Sequence, residues 1–225
     1  MNLDFSDDQK FLQNEARKFL EKEESIKRSR EILDQSSSLD TDLWQKIVAL
    51  GWTGIRIPEN FDGLGLGHLE LCVIAEELGR FLAPVPFSSS VYLFTEAVIK
   101  YGSEELKKDI LPKLVSGEIV GTLAVAEDFM APSSSNIKTE VLNNKISGKK
   151  IAVPDAGIAT HSIVVCKSSN GIDLRLIDHK DKSLNILKQD TVDGSRGHFC
   201  IELENTPSIL VGDEGNGWDL YESII

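Results

Sequence analysis

The sequence predicts an α+β protein. An amino-terminal all-α domain is expected over residues 1–117 and a small antiparallel β-barrel or sandwich domain over 118–212. Residues 213–225 read as the start of a third, helical domain that the 225 residues do not contain. Two observations carry this reading. Apolar residues recur at helical spacing up to Gly117, and beyond it the period shifts toward two, with turn residues between short β-rich runs. A third observation excludes an alternative. Helices followed by strands are not the βαβ alternation of a doubly wound sheet, so a Rossmann dinucleotide site is not expected.

Ser6 and Gln9 form a capping box, in which the hydroxyl accepts from the helix start and the amide reaches back. The helix it opens carries Leu12, Ala16, Phe19 and Leu20 on one face. Asp40 or Thr41 starts a second helix with Leu43, Trp44, Ile47, Val48 and Leu50 as its stripe, and Gly51 supplies a left-handed C-terminal residue. A loop from Pro58 to Gly67 contains three alternating glycines, which permit positive φ or close backbone contact. A third helix runs from His68 to Leu82, and Pro84 and Pro86 stop it. Helices resume over Val91–Lys100 and Ser103–Val115, the latter broken in two by Pro112.

Strands are expected at Ile119–Glu127, Ile137–Leu142, Lys145–Val153, Ser162–Lys167, Ile172–Ile177, Leu184–Leu187 and His198–Leu203. Asn143-Asn144 and Ser169-Asn170-Gly171 are hairpin signals between them. Val211–Gly217 reads as a turn, and Trp218–Ile225 as the first two turns of a helix.

Composition is that of a folded globular chain, 41% hydrophobic and 27% charged. A net charge of −12 opposes nonspecific binding to nucleic acid or anionic lipid. Cys72, Cys166 and Cys200 are odd in number and far apart, which suits a reducing compartment rather than a disulfide framework. The start of the chain resembles neither a signal peptide nor an Arg-rich transit sequence, and no apolar run is long enough to span a bilayer. A cytoplasmic location is expected.

The residues alone disclose no active site. His68, His161, His179 and His198 are scattered without metal-ligand spacing. Ser88-Ser89-Ser90 and Ser133-Ser134-Ser135 have no sequence-evident base. Cys72 reads as a small buried hydrophobe on the apolar side of its helix.

Six segments in order point further: Phe5-Ser6-Asp7-Asp8-Gln9; Leu50-Gly51-Trp52 with Pro58-Glu59 through Gly67; Glu76-Glu77-Leu78-Gly79-Arg80; Tyr101-Gly102-Ser103-Glu104-Glu105 with Leu111-Pro112 and Ser116-Gly117-Glu118; Gly148-Lys149-Lys150 with Val153-Pro154-Asp155-Ala156; and Val211-Gly212 with Glu214–Trp218. Together they resemble the acyl-CoA dehydrogenases, whose members have a helical domain, a middle β-domain and a carboxy-terminal four-helix bundle. Asp62 stands where the family has the first of two glycines.

The resemblance implies an FAD-dependent oxidoreductase of fatty acid metabolism. It would desaturate an acyl-CoA thioester between its α- and β-carbons, with electron-transfer flavoprotein as acceptor. The carboxylate base normally comes from the bundle, so no catalytic residue is assigned here. By the same resemblance Leu123, Val125, Ala126, Ala152, Val153 and Pro154 are cofactor-binding, and Ser133 is substrate-binding. Three identities depart from the family: Ala126 replaces a flavin-bonding Thr, and Ala152 and Pro154 replace the Trp and Thr of "WITN". They leave two alternatives open: a non-catalytic subunit or binding module, and a flavin oxidase or monooxygenase of the same fold. A homo-oligomer, or a heteromer with a related subunit, is expected.

Overall fold

The computed structural model describes residues 4–34 and 39–225. Residues 1–3, at the start of the amino-terminal segment read above against a signal or transit peptide, lie outside the described residues.

Helix α1 (Asp7–Lys22) starts at the capping box as read: Ser6 Oγ accepts from Gln9 N at 3.2 Å and Gln9 Oε1 from Ser6 N at 3.0 Å. Helix α2 (Ser25–Asp34) is an addition to the sequence reading, and α3 (Thr41–Ala49) is capped by Asp40, whose Oδ1 accepts from Leu43 N. Gly51 follows at φ +76°. In the loop after it, Asp62 takes the left-handed conformation (φ +66°), which aspartate tolerates better than most residues. Gly63 is required by contact, since a Cβ there would lie 2.0 Å from Ile57 O.

Helix α4 (His68–Arg80) buries Leu71, Val73, Ile74 and Leu78. Cys72 is exposed, contrary to expectation, because the helix turns it away from the face those four residues occupy. A π-helical turn, Ser88–Phe94, leads into α5 (Thr95–Tyr101). Helix α6 (Glu104–Val115) runs unbroken through Pro112. The proline costs the helix one backbone hydrogen bond, and the packing of buried Leu111 and Leu114 on either side carries the helix through it.

The strands are β1 (Gly121–Ala124), β2 (Glu140–Leu142), β3 (Lys145–Pro154), β4 (His161–Ser168), β5 (Gly171–Asp178), β6 (Leu184–Gln189), β7 (His198–Pro207) and β8 (Ile209–Val211). They form one sheet in the order β6-β7-β3-β2-β4-β5-β8, with β1 also beside β4. Asn143 and Asn144, at φ +51° and +58°, close the β2–β3 hairpin as read. The sheet is mixed, because β1 and β2 both run parallel to β4. The chain leaves β4's edge after β1, makes a loop, and rejoins the same edge in the same direction. Helix α7 (Gly217–Glu222) follows the last turn.

Both faces of β4 are buried. Ile163 and Val165 join a core shared with the helices, through Phe94, Leu111 and Leu114, while Val164 and Cys166 join a core on the other face with Ile146, Val153 and Ile201. The shared core crosses the change of sequence character near Gly117. Each fully buried large side chain in it contributes roughly 1.5–3 kcal/mol.

Candidate functional site

The candidate cofactor residues lie on two segments that meet at the end of β1. Gly121 donates its N–H to Ser90 Oγ at 3.1 Å, and Thr122 Oγ1 donates to Pro154 O at 2.6 Å. One turn of chain later, Lys150 Nζ donates to Val125 O at 2.9 Å and Ile151 N to Ala126 O at 2.8 Å. These bonds set 122–126 alongside 150–154.

Side chains divide the six candidates. Leu123 packs into the core shared with the helices and Val153 into the opposite core. Val125, Ala126 and Pro154 are half-buried, and Ala152 is exposed. Ala152 sits at φ +51°, where the β3–β7 register shifts between Lys150 and Val153. This bulge turns its N–H toward Gln189 Oε1, 2.7 Å away on β6.

At this edge the chain presents main chain and small side chains. Alanine at 126 and 152 leaves its face uncovered, and the Ala152 N–H has the half-buried Gln189 as its acceptor. No side-chain hydroxyl or indole reinforces it at these positions, and Pro154 has no N–H to offer.

Ser133 lies apart from this edge, on the loop between β1 and β2. There it donates its N–H to Asn136 Oδ1 at 2.8 Å, and its hydroxyl lies 3.0 Å from Ser135 Oγ. Its neighbours Ser134 and Ser135 line a groove of about 690 Å³ with Lys167, Asn170, Asn216 and Trp218. The loop therefore stands between the β1–β3 edge and this groove.

Four polar residues escaped the sequence reading as site elements. Glu127 and Lys150 form a buried ion pair at 2.7 Å. Burial lowers the Lys150 pKa from its ordinary value, opposed by the carboxylate. Burial also works against charge on Glu127, yet the hydrogen bonds from Lys150 and Thr139 hold its pKa below the ordinary value. Counting by twos from buried Ile146 places Lys150 inward, so the signal was present in the strand's own period.

The other two, Asp155 and Arg196, pair where the sheet meets the helical part. Asp155 Oδ2 accepts from Ser89 Oγ at 2.6 Å and from Arg196, and Arg196 Nη1 reaches Ser88 Oγ at 2.6 Å. The first serine run thus serves an ion pair across the two halves of the molecule.

Histidines hold no metal cluster: among the described residues no group of three or more His, Cys, Asp or Glu could bind an ion. His179 Nε2 lies 2.7 Å from Ser162 Oγ, and burial pushes its pKa down to about 4. No described helix is long and apolar enough to cross a membrane.

Residues 6–118 match the family described as "Acyl-CoA dehydrogenase, N-terminal domain". The chain belongs to the acyl-CoA dehydrogenase family. It is 29% identical over 213 residues to mitochondrial isovaleryl-CoA dehydrogenase of Pongo abelii, covering 88% of this chain and 50% of that protein. It is 25% identical over 237 residues to acryloyl-CoA reductase (NADH) of Anaerotignum propionicum, covering 98% of this chain and 60% of that protein.

In fold it is similar to an acyl-CoA dehydrogenase from Geobacillus kaustophilus, with a TM-score of 0.88 at 21% identity over 99% of this chain and 63% of that one. This acyl-CoA dehydrogenase family chain therefore spans about half to three-fifths of the length of these relatives.

Proposed function

We propose that residues 1–117 and 118–212 are the helical and β-domains of an FAD-dependent acyl-CoA dehydrogenase, and that 213–225 open its third domain. The substrate is an acyl-CoA thioester, desaturated between the α- and β-carbons. FAD, when bound, supplies the two-electron acceptor for the hydride that leaves the β-carbon. The chain's own part is to hold and orient. Main-chain groups of Val125, Ala126 and Ala152 grip the ring edge, with Leu123, Val153 and Pro154 fixing that backbone from behind. Ser133 and the adjoining groove take the polar part of the thioester ligand. The base that removes the α-proton is a carboxylate outside these 225 residues. Electron-transfer flavoprotein is the proposed acceptor, the assembly is oligomeric, and the location is cytoplasmic.

The observation that carries this reading is the meeting of the 122–126 and 150–154 segments at an open, alanine-lined bulge. It is tested by expressing the full reading frame that encodes these residues, titrating it with FAD, and adding butyryl-CoA anaerobically. Yellow protein bleached by the thioester supports the proposal. The 225-residue chain alone should bind flavin weakly and turn over nothing. Turnover by the isolated chain would refute the placement of the base elsewhere.

A second reading is favoured by one observation: Gln189 already occupies the Ala152 N–H, at a site stripped of side-chain donors. A non-catalytic subunit that pairs with a flavin-bearing relative would look like this. Full-length protein that stays colourless with excess FAD supports that reading against the first.

A further inference from the structure

The ring-facing edge does not explain why charge is buried beneath it. Lys150 is fully buried and the Glu127 side chain nearly so. Both oxygens of the Glu127 carboxylate are engaged. Its Oε1 accepts from Lys150 Nζ at 2.7 Å and from Thr139 N at 2.9 Å, and its Oε2 accepts from Lys138 N at 2.6 Å. Lys150 gives a further proton to Val125 O at 2.9 Å. One ion pair therefore grips both stems of the β1–β2 loop, the outgoing stem at Val125–Glu127 and the returning stem at Lys138–Thr139.

Between the stems the loop bonds to itself. Met130 N donates to Asp128 Oδ1, Ser133 N to Asn136 Oδ1, and Asn136 Nδ2 to Ala131 O. Phe129 and Met130 are exposed. The returning stem has separate ties to the core and sheet, through buried Ile137 and through Lys167 N donating to Thr139 O at 2.8 Å. What the carboxylate adds is the bond from one stem to the other. A buried pair of this kind is commonly no more stabilising than well-packed apolar residues of the same size, so stability does not account for it. A charged acceptor that takes two successive backbone N–H groups does fix geometry.

We infer that Glu127 and Lys150 are positioning residues, which set the 128–139 loop, and with it Ser133, between the β1–β3 edge and the neighbouring groove. The identity of what the loop faces rests on the proposed function; the latch itself does not.

The test is the double variant Glu127→Gln/Lys150→Met, compared with the parent by amide hydrogen exchange, thermal unfolding and titration with FAD and butyryl-CoA. Removing both charges leaves no unpaired ion in the core. The expected result is exchange at Lys138, Thr139 and the loop faster by about tenfold or more, with β4 and β5 unchanged and the melting temperature within a few degrees. Weaker binding of either ligand should accompany it.

Unchanged loop exchange would overturn the inference. So would equal acceleration in β4 and β5, or failure to fold, since each makes the pair a general support of the sheet. A parent protein that binds neither ligand defeats the functional reading instead, and the exchange result still judges the latch.

Discussion

Gly121 is the point where the helical part presses on the strand that leads to the site, and Gly121→Ala measures that pressure. An added Cβ would lie 2.1, 2.3 and 2.6 Å from three ring carbons of Phe94. Carbon atoms pack at about 3.5–4 Å, so the ring or the strand must retreat by roughly 1.4 Å. Neither has room. Phe94 is fully buried in the shared core with Leu111 and Leu114, and the Gly121 N–H is tied to Ser90 Oγ. The cost should fall at the upper end of the overpacking range, about 3 kcal/mol.

Urea unfolding followed by circular dichroism measures it, and Phe94→Leu supplies the second arm of a double-mutant cycle. The smaller side chain should recover about 1–2 kcal/mol of the Gly121→Ala loss, so the double variant should be more stable than the sum of singles predicts. A Gly121→Ala protein within about 0.5 kcal/mol of the parent would refute the steric argument. Strict additivity would refute the assignment to Phe94.

Three further outcomes are expected. His179, with its folded pKa near 4 against 6.5 for the free side chain, refuses a proton that the unfolded chain accepts. Stability is unaffected above pH 6.5 and falls as the pH drops from 6.5 toward 4, by about 2 kcal/mol at pH 5. His179→Gln should flatten that limb in urea titrations, and an unaltered slope would locate the acid sensitivity elsewhere. Ala126→Thr should tighten FAD binding about fivefold if the ring lies on this edge, the worth of one net hydrogen bond; an unchanged Kd by flavin fluorescence places the ring elsewhere. Ellman's reagent should titrate one thiol, exposed Cys72, in the native chain and three after denaturation. Burial raises the pKa values of Cys166 and Cys200, the former to about 12. Rapid native modification of two or more would contradict the buried placement.

Local signals proved readable where neighbours in sequence decide the structure. The Ser6 and Gln9 cap, the left-handed Gly51 and the Asn143-Asn144 turn each depend on residues within a few positions, and each stands as read. Helix α2 was not readable because it has almost no stripe: Ile26 and Leu33 are substantially exposed, and Ile32 is its buried apolar residue. Continuity through Pro112 depends on packing that sequence does not display. The two candidate segments were named through resemblance, but their side-by-side placement and the surface they make were not legible. That Leu123 and Val153 would turn into opposite cores, or that Gln189 would reach the Ala152 N–H from β6, follows only once β3 is paired with β7 and bulged.

These placements make β1 the element through which distant parts of the chain act on the candidate site. From the helical side it is held by Phe94 and Ser90, from β3 by the Thr122 bond to Pro154 O, and just beyond its end by Lys150 on the Val125 carbonyl. Each restraint acts on backbone or, at Thr122, on a buried hydroxyl, rather than on a ligand-facing side chain. A site built this way tolerates the loss of a Thr or a Trp in shape while losing it in affinity, because backbone groups stay where the cores put them. The choice between a flavin-bearing enzyme and a silent partner therefore turns on few atoms. Gln189→Ala frees the Ala152 N–H without touching a core, and if the proposed reading holds it should strengthen FAD binding. If Gln189 instead seals a vacant edge in a subunit that never holds the ring, the variant should remain colourless.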